Sequence, residues 1–283
     1  MTAAKRKVDI LVLSDIHLGT YGCHAKELLQ YLKSIKPKVV VLNGDIIDIW
    51  QFSKSYWPAS HMKVVKYIFK LISKGTKTYY ITGNHDEMLR KFAGAKIGSL
   101  QIVNKLVLHL ENNTKAWFFH GDVFDVTMQH SKVLAKLGAT GYDILILINR
   151  FFNFISTKVF RKGKISLSKK IKNSVKSAVK FINNFEVTCA DIGIANGFDY
   201  VVCGHIHQPE IKSISNPSGI ITYLNSGDWV ENLTSLEYYD GSWEIYKYNA
   251  DEFNGKDIDE PNDSLNNNLL FNQLLQEFNL MKQ

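Results

Sequence analysis

Five short apolar runs in this sequence each end directly in a block of polar side chains, and this repeated feature most constrains the fold. The runs are Val8–Leu13, Lys38–Leu42, Thr78–Ile81, Ala116–Phe119 and Tyr200–Cys203. They are rich in β-branched and aromatic residues, as buried strands are. Apolar residues recur at helical spacing over 28–35, where Pro37 should stop the helix, and over 64–72. The alternation predicts an α/β fold of βαβ units around a largely parallel sheet.

Each predicted strand is followed by side chains that can bind metal ions. In chain order the blocks are Asp15-Ile-His17, Gly44-Asp45-Ile-Ile-Asp48, Gly83-Asn84-His85-Asp86, His120-Gly121-Asp122 and Gly204-His205-Ile-His207. Because the carboxyl ends of strands form the ligand crevice of an open α/β sheet, we expect these blocks to converge. Any one of these residues alone would be more typical of a turn or of a hydrogen-bonded histidine. Their coincidence at five strand ends favours a binding site.

The chemistry of these side chains predicts a pair of metal ions. Carboxylate, amide and imidazole ligands without thiolates suit Mn²⁺, Fe²⁺ or Zn²⁺. Seven ligand side chains are too many for one tetrahedral zinc ion. They suit two ions about 3.5–4 Å apart that share a carboxylate, which is an arrangement that hydrolyses phosphate esters. The sequence therefore predicts a dimetal phosphoesterase.

We expect three regions along the chain. Residues 1–126 and 197–250 would form the core, residues 127–196 a helical insertion, and residues 251–283 an acidic linker and a C-terminal amphipathic helix. The later part of the core is predicted to contain the strands Ile220–Leu224, Leu236–Tyr239 and Trp243–Tyr248. Asp240-Gly241 between the last two is typical of a hairpin turn.

The basic charge of the chain is confined to the predicted insertion. The 283 residues carry a formal net charge of +7, whereas residues 127–196 alone carry +9, which leaves −2 for the rest. The insertion also contains an apolar patch, Tyr142–Phe160. Cationic charge on an apolar helical segment favours a membrane surface and an amphiphilic phosphate substrate. The alternative is a satellite domain whose lysines form a solvated face.

Other sequence features favour a cytoplasmic location. The N-terminal apolar run Ile10–Leu13 is too short for a signal peptide. No stretch approaches the roughly 20 apolar residues that span a bilayer. The three cysteines, Cys23, Cys189 and Cys203, fit no disulfide framework and are typical of a reducing compartment. We expect a protein that is soluble or peripherally attached to the inner face of the cell membrane.

The five blocks together, over roughly Val8–Trp229, resemble the calcineurin-like metallophosphoesterase superfamily. The resemblance implies a sandwich of two mixed β-sheets flanked by helices, an αββα arrangement, here with a helical lid at residues 127–196. It also implies two divalent metal ions. The first ion would be held by Asp15, His17 and His207, the second by Asn84, His120 and His205, with Asp45 bridging them.

The resemblance also assigns two residues to catalysis. His85 would be the catalytic histidine near the leaving-group oxygen. Asp48 would hold the other nitrogen of the His85 ring, which fixes its tautomer and its basicity.

The insertion and the segment Leu224-Asn-Ser-Gly-Asp-Trp229 resemble one branch of the superfamily, the UDP-2,3-diacylglucosamine diphosphatases of lipid A biosynthesis. This implies cleavage of the pyrophosphate of a UDP-linked diacylated glucosamine to UMP and a lipid sugar phosphate, commonly with manganese. Substrate contacts are predicted at Ile148, Phe152, Arg161 and Lys164. The best-characterised members of that branch carry Arg at the position of His85, where this sequence has the general superfamily form.

Two other functions stay open at this level. One is a nucleic-acid or general phosphodiesterase with the same dimetal site and with the lysines along the nucleic-acid backbone. Aromatic residues of the insertion lie beside Leu and Ile rather than spaced as stacking platforms, which disfavours nucleic acid as the partner. The other is a non-enzymatic, metal-stabilised scaffold, which the complete ligand set disfavours. The sequence does not predict an oligomeric state.

Overall fold

The structure is a computed structural model that describes residues 5–49, 56–124, 182 and 184–253. The chain divides into two compact units, Met1–Tyr248 and Asn249–Gln283. Of the second unit, the described part is residues 249–253, which contain the 3₁₀ helix Ala250–Phe253. The predicted C-terminal amphipathic helix and most of the predicted insertion lie outside the described residues. Within the described ranges, no helix has the length and apolar character needed to cross a membrane.

Two α-helices, a further helical segment and twelve strands form the described part of the first unit. The α-helices are α1 (Ala25–Ser34) and α2 (Ala59–Ser73), and residues 184–195 are also helical. Short 3₁₀ helices occur at Glu87–Phe92, Glu111–Asn113 and Asp122–Phe124. The strands are β1 (Arg6–Leu13), β2 (Ile35–Asn43), β3 (Lys77–Ile81), β4 (Lys96–Ile97), β5 (Leu100–Val103), β6 (Leu106–His109), β7 (Lys115–Phe118), β8 (Tyr200–Cys203), β9 (Glu210–Asn216), β10 (Gly219–Asn225), β11 (Thr234–Tyr239) and β12 (Ser242–Lys247).

These strands form two mixed sheets. The seven-stranded sheet has the order β12-β11-β1-β2-β3-β5-β4, and the five-stranded sheet has the order β6-β7-β8-β10-β9. Strands β1, β2, β3 and β5 are parallel to one another, as are β7, β8 and β10, while the outer pairs are antiparallel. The predicted α/β class is confirmed, and so is the αββα sandwich of two sheets. The strands predicted from the alternation are parallel to their predicted neighbours, but they are divided between two mixed sheets rather than one largely parallel sheet.

Three hydrophobic clusters show how the four layers pack. The first lies between α1, α2 and the larger sheet, and the second lies between the two sheets. The third lies between the smaller sheet and residues 184–195, where Phe185 and Cys189 are buried. Alternation along β1 explains the layering, because Leu11 packs toward the helices and Val12 packs toward the other sheet. Both faces of β1 are therefore buried, which accounts for its almost continuous apolar sequence.

The first helix ends earlier than its apolar spacing predicts. It stops at Ser34, and Ile35 already belongs to β2, so Pro37 lies within a strand rather than ending a helix. At that position β2 pairs with β1 through Val8, whereas pairing with β3 begins only at Val39. Pro37 is tolerated because one side of β2 has no ladder hydrogen bond to lose there.

The later strands match their predictions, with one omission. Strands β10, β11 and β12 are present, and Asp240-Gly241 turns between the last two with positive φ at both residues. Strand β9 pairs with β10 and was not predicted. Its sequence is polar and it lies at a sheet edge with mostly exposed side chains, so it lacks the apolar alternation of a half-buried strand.

Candidate metal centre

The polar blocks meet where strand ends of the two sheets face each other. On the larger sheet, Asp15 N donates a hydrogen bond to Gly44 O (3.1 Å), which joins the ends of β1 and β2. On the smaller sheet, Gly204 N donates to His120 O (3.0 Å). The Asp15 carboxylate connects the two sheets, because its Oδ2 accepts from His205 N at 3.0 Å. The site therefore lies between two sheets rather than at the crevice of a single one.

The first group of side chains comprises Asp15, His17 and His207. His207 Nε2 lies 3.2 Å from Asp15 Oδ1 and 3.3 Å from His17 Nε2. Asp15 and His17 are buried and His207 is partly buried. Burial lowers the pKa of His207, but the Asp15 carboxylate outweighs it and raises that pKa to about 9. The three side chains are close enough to bind one ion.

The second group comprises Asp45, His120 and His205. His120 Nε2 lies 3.1 Å from Asp45 Oδ2, and the His120 and His205 rings contact edge to face. His120 Nδ1 lies 2.9 Å from Asn43 O, and a carbonyl oxygen only accepts, so Nδ1 carries a hydrogen. Burial lowers the pKa of His120, but the Asp45 carboxylate outweighs it and raises that pKa well above its usual value, so Nε2 carries a proton toward Asp45. A metal ion bound by both side chains would take the place of that proton.

Asn84 lies between the third strand and His85. Its Oδ1 is buried and has no hydrogen-bond partner among the described residues. A buried acceptor without a partner costs about 1–3 kcal/mol. His85 N donates to Asp45 Oδ1 at 2.9 Å, which brings this block against the second group. An amide oxygen in that position fits a metal ligand, so the residues present fit two ions.

Asp48 contacts His85 closely and lies near a second histidine ring, that of His17. Its Oδ2 lies 2.9 Å from His85 Nδ1 and 3.7 Å from His17 Nδ1, and its side chain is buried. Burial raises the pKa of Asp48, but the neighbouring His17 and His85 rings hold it below its usual range. Burial lowers the pKa of His85, and Asp48 and Asp45 together raise it. Because Nδ1 faces Asp48, Nε2 is the candidate proton donor of His85.

Eight of the nine residues predicted as ligands or catalytic groups lie in these three clusters, and Asn84 lies beside them. Their individual roles stay predictions. The four predicted substrate contacts, Ile148, Phe152, Arg161 and Lys164, lie outside the described residues.

The backbone of the predicted ligands is unusual. Five of the seven adopt left-handed conformations, with φ between 50° and 69°: Asp15, His17, Asp45, His205 and His207. This conformation costs roughly 1–3 kcal/mol at each non-glycine residue. Such strain concentrates at functional sites, where the surrounding structure holds it. Here the sharp turns direct side chains from separate strand ends toward one place.

Two glycines of the motif are required by close packing against the site. A Cβ atom at Gly44 would overlap the His120 ring, and Gly44 also has a φ of 83°. A Cβ atom at Gly83 would overlap Oδ1 of Asp45. Glycine precedes Asp45 and Asn84 because a side chain at Gly44 would overlap the His120 ring and one at Gly83 would overlap the Asp45 carboxylate.

Asp86 organises the site, and the sequence reading assigned it no role. It is fully buried and accepts three hydrogen bonds, from Gly83 N (2.6 Å), Tyr80 Oη (2.6 Å) and Ile46 N (3.0 Å). It therefore ties the loop after β2 to the loop after β3. An aspartate directly after the Gly-Asn-His triplet was the available signal, since aspartate often accepts from nearby backbone amides.

We expect Asp86→Ala to lower the free energy of unfolding by about 3–5 kcal/mol, because three buried donors lose their acceptor together. Tyr80→Phe removes only one of these bonds and should cost about 1 kcal/mol. Urea denaturation of both variants beside the wild type measures the difference. A loss below about 1 kcal/mol in Asp86→Ala would show that Asp86 does not hold the two loops together.

Asp228 has a similar role on the other side of the site and was also missed. It is buried, its Oδ1 accepts from Val230 N at 2.7 Å, and its Oδ2 accepts from Asn232 Nδ2 at 2.5 Å. Asn232 Nδ2 also donates to His207 O at 2.8 Å. The loop that follows β10 therefore supports the backbone of a predicted ligand.

Comparison with known proteins identifies the family. The family model described as Calcineurin-like phosphoesterase matches residues 8–209. The chain belongs to this family and is a metallophosphoesterase, a hydrolase of a family that uses dimetal sites.

Individual relatives match this chain at low sequence identity. The UDP-2,3-diacylglucosamine hydrolase of Blochmanniella pennsylvanica is 26% identical over 238 residues, which cover 81% of this chain and 92% of that protein. The protein of the same name from Aliivibrio fischeri is 24% identical, and the match covers 85% of this chain and 98% of that protein. The DNA double-strand break repair protein Mre11 of Methanococcus maripaludis is 26% identical over 71% of this chain and 49% of its own length.

Proposed function

We propose that the protein hydrolyses the diphosphate of a UDP-linked diacylated glucosamine to UMP and a lipid sugar phosphate. The facing clusters around Asp45, with His85 beside them, support phosphoester hydrolysis. The observation that carries the choice of substrate is the extent of the match to relatives named UDP-2,3-diacylglucosamine hydrolase. This chain covers 92% and 98% of the length of two of them.

The proposed ligands form two sets that share one carboxylate. One ion would be held by Asp15, His17 and His207, the other by Asn84, His120 and His205, and Asp45 would contact both. When bound, two divalent cations lower the pKa of a shared water and offset the charge on phosphate oxygens. Manganese is the proposed metal, and the same donors suit Fe²⁺ or Zn²⁺.

His85 would supply the proton that the leaving group needs. The Asp48 carboxylate holds Nδ1–H at 2.9 Å, which orients the ring and favours its protonated form. Nε2–H then donates its proton to the oxygen that leaves phosphorus. A positioned acid of this kind contributes about 10²–10⁴ in rate. Asp48 itself would act through the ring rather than on the substrate.

We also propose that the protein works at the cytoplasmic face of the membrane as a peripheral protein. The support is the charge of +9 on residues 127–196 together with the apolar patch Tyr142–Phe160. Lysines near an anionic surface contribute about 1 kcal/mol each. Ile148 and Phe152 would contact acyl chains, and Arg161 and Lys164 would meet anionic headgroups.

The substrate proposal is tested by comparing kcat/KM for UDP-2,3-diacylglucosamine and for UDP-N-acetylglucosamine, which lacks the long chains, both with manganese. We expect the acylated substrate to be favoured by at least about 100-fold, because burial of only a few methylenes at about 0.8 kcal/mol each gives that ratio. Equal kcat/KM values would contradict the lipid substrate. The Asp45→Asn variant, purified identically, measures contaminating phosphatase.

A nucleic-acid phosphodiesterase is the second candidate, favoured by the match to Mre11. That match covers 71% of this chain and 49% of the relative. The same preparation should leave single-stranded DNA intact while it hydrolyses the acylated nucleotide sugar. Degradation of the DNA with manganese, at a rate that falls steeply with salt, would favour the second candidate instead.

A further inference from the structure

A small cavity of about 40 Å³ adjoins the candidate metal centre, and the predicted ligands other than His120 do not line it. Its wall includes Arg90, Asp122, Thr82 and Asn104. The Arg90 guanidinium is a cation with no acceptor atom, so it does not serve as a metal ligand and its position beside the site needs another explanation. The cavity is polar on this side and lies next to the proposed reaction site.

Asp122 holds the Arg90 side chain in place. The Arg90 Nη2 atom donates to Asp122 Oδ2, and Asp122 follows the predicted ligand His120 by two residues. The Asp122 side chain is 12% exposed and that of Arg90 is 35% exposed. The guanidinium is therefore anchored by a nearly buried carboxylate while part of it reaches solvent.

The same guanidinium has an N–H donor that forms no hydrogen bond with the described residues. Its Nε atom is buried and has no hydrogen-bond partner among them. An arginine presents five N–H donors in a rigid fork that matches two oxygens of a phosphate. An anion in the cavity would accept hydrogen bonds from the Arg90 N–H groups that do not bind Asp122.

We propose that Arg90 binds the second phosphate of the substrate, the one that is not attacked. The inference rests on the proposed function, because that substrate is a diphosphate. A phosphate at the metal centre would lie on the His120 side of the cavity, and one bridging oxygen joins it to its neighbour. Arg90 would then make the site prefer diphosphate diesters to diesters of a single phosphate.

The test compares UDP and UMP as ligands of the manganese-loaded protein by isothermal titration calorimetry. The two ligands differ only by the second phosphate. In the Arg90→Met variant we expect the ratio of UDP affinity to UMP affinity to fall about tenfold or more, as for the loss of a charge-assisted hydrogen bond. Arg90→Lys keeps the charge without the fork and should give an intermediate ratio. Lys91→Met, an exposed cation next in the chain, should leave the ratio unchanged.

An unchanged ratio in Arg90→Met, or equal losses for UDP and UMP, would overturn the inference. Thermal melting checks that the variants fold. If Arg90→Met does not fold, Arg90→Lys decides, because it preserves a partner for Asp122. The binding ratio does not depend on turnover. A wild type that binds UDP but does not hydrolyse UDP-2,3-diacylglucosamine would therefore refute the proposed function while the role of Arg90 is still decided.

Discussion

The Asp45→Asn substitution should lower kcat/KM by at least about 1,000-fold, since the proposed shared ligand supplies several kcal/mol of charge stabilisation. Asp45 contacts His120 through one carboxylate oxygen and accepts from His85 N through the other. Asparagine keeps the size but loses the charge and one oxygen donor. Hydrolysis of bis-nitrophenyl phosphate with manganese measures the loss, and elemental analysis of the purified variant should show reduced metal content.

A matched control exists in the hairpin turn. Asp240 has a φ of 50°, close to the 53° of Asp45, and asparagine adopts this conformation more readily than most residues. Asp240→Asn should therefore leave activity and metal content at wild-type values. If Asp45→Asn retained more than a tenth of the wild-type rate, Asp45 would not be the shared ligand.

Replacement of His85 by glutamine should reduce kcat by about 10²–10⁴ while the metal content stays unchanged. The reason is that His85 is proposed to donate a proton rather than to bind an ion, with its Nδ1 held by Asp48 at 2.9 Å. The loss should be smaller for nitrophenyl esters, whose leaving groups need less protonation, than for the sugar phosphate. Steady-state kinetics on both substrates measure this difference.

His109→Gln is the control for that experiment, because His109 is an exposed residue of β6 and should have no effect on turnover. Asp48→Asn should also lower kcat, since it removes the group that orients the His85 ring. Loss of metal from the His85→Gln variant would instead make His85 a ligand, and equal losses on both substrates would argue against proton donation.

The fold was predictable in its local elements and only partly in its assembly. The runs at β1, β2, β3, β7 and β8 carry β-branched and aromatic residues on buried faces, so their composition alone indicates that these strands are buried. Residue patterns did not reveal that these strands belong to two sheets, because pairing such as β7 with β8 joins residues far apart in the chain. The motif resemblance supplied that information.

The candidate site was predictable as a set of side chains but not as a supporting structure. The Gly-Asp and Gly-Asn-His motifs identify candidate ligands. The role of Asp86, in contrast, depends on two amides and a hydroxyl that two separate segments bring to it. The left-handed backbone at Asp15 and His207 is likewise not predictable from residue type, because aspartate and histidine adopt it only in a minority of cases. Arg90 belongs to no sequence motif. Its proposed role rests on its contact with Asp122 and on the cavity beside it.

Titration of the metal-free protein with manganese tests the central claim most directly. Two ions should bind per chain, because the structure has two separate groups of candidate ligands, Asp15 with His17 and His207 and Asp45 with His120 and His205. The Asp45→Asn variant should bind fewer ions or bind them much more weakly, while the Asp240→Asn variant should still bind two. Binding of a single ion, or of none, by folded wild-type protein would contradict the dimetal site from which the proposed hydrolysis follows.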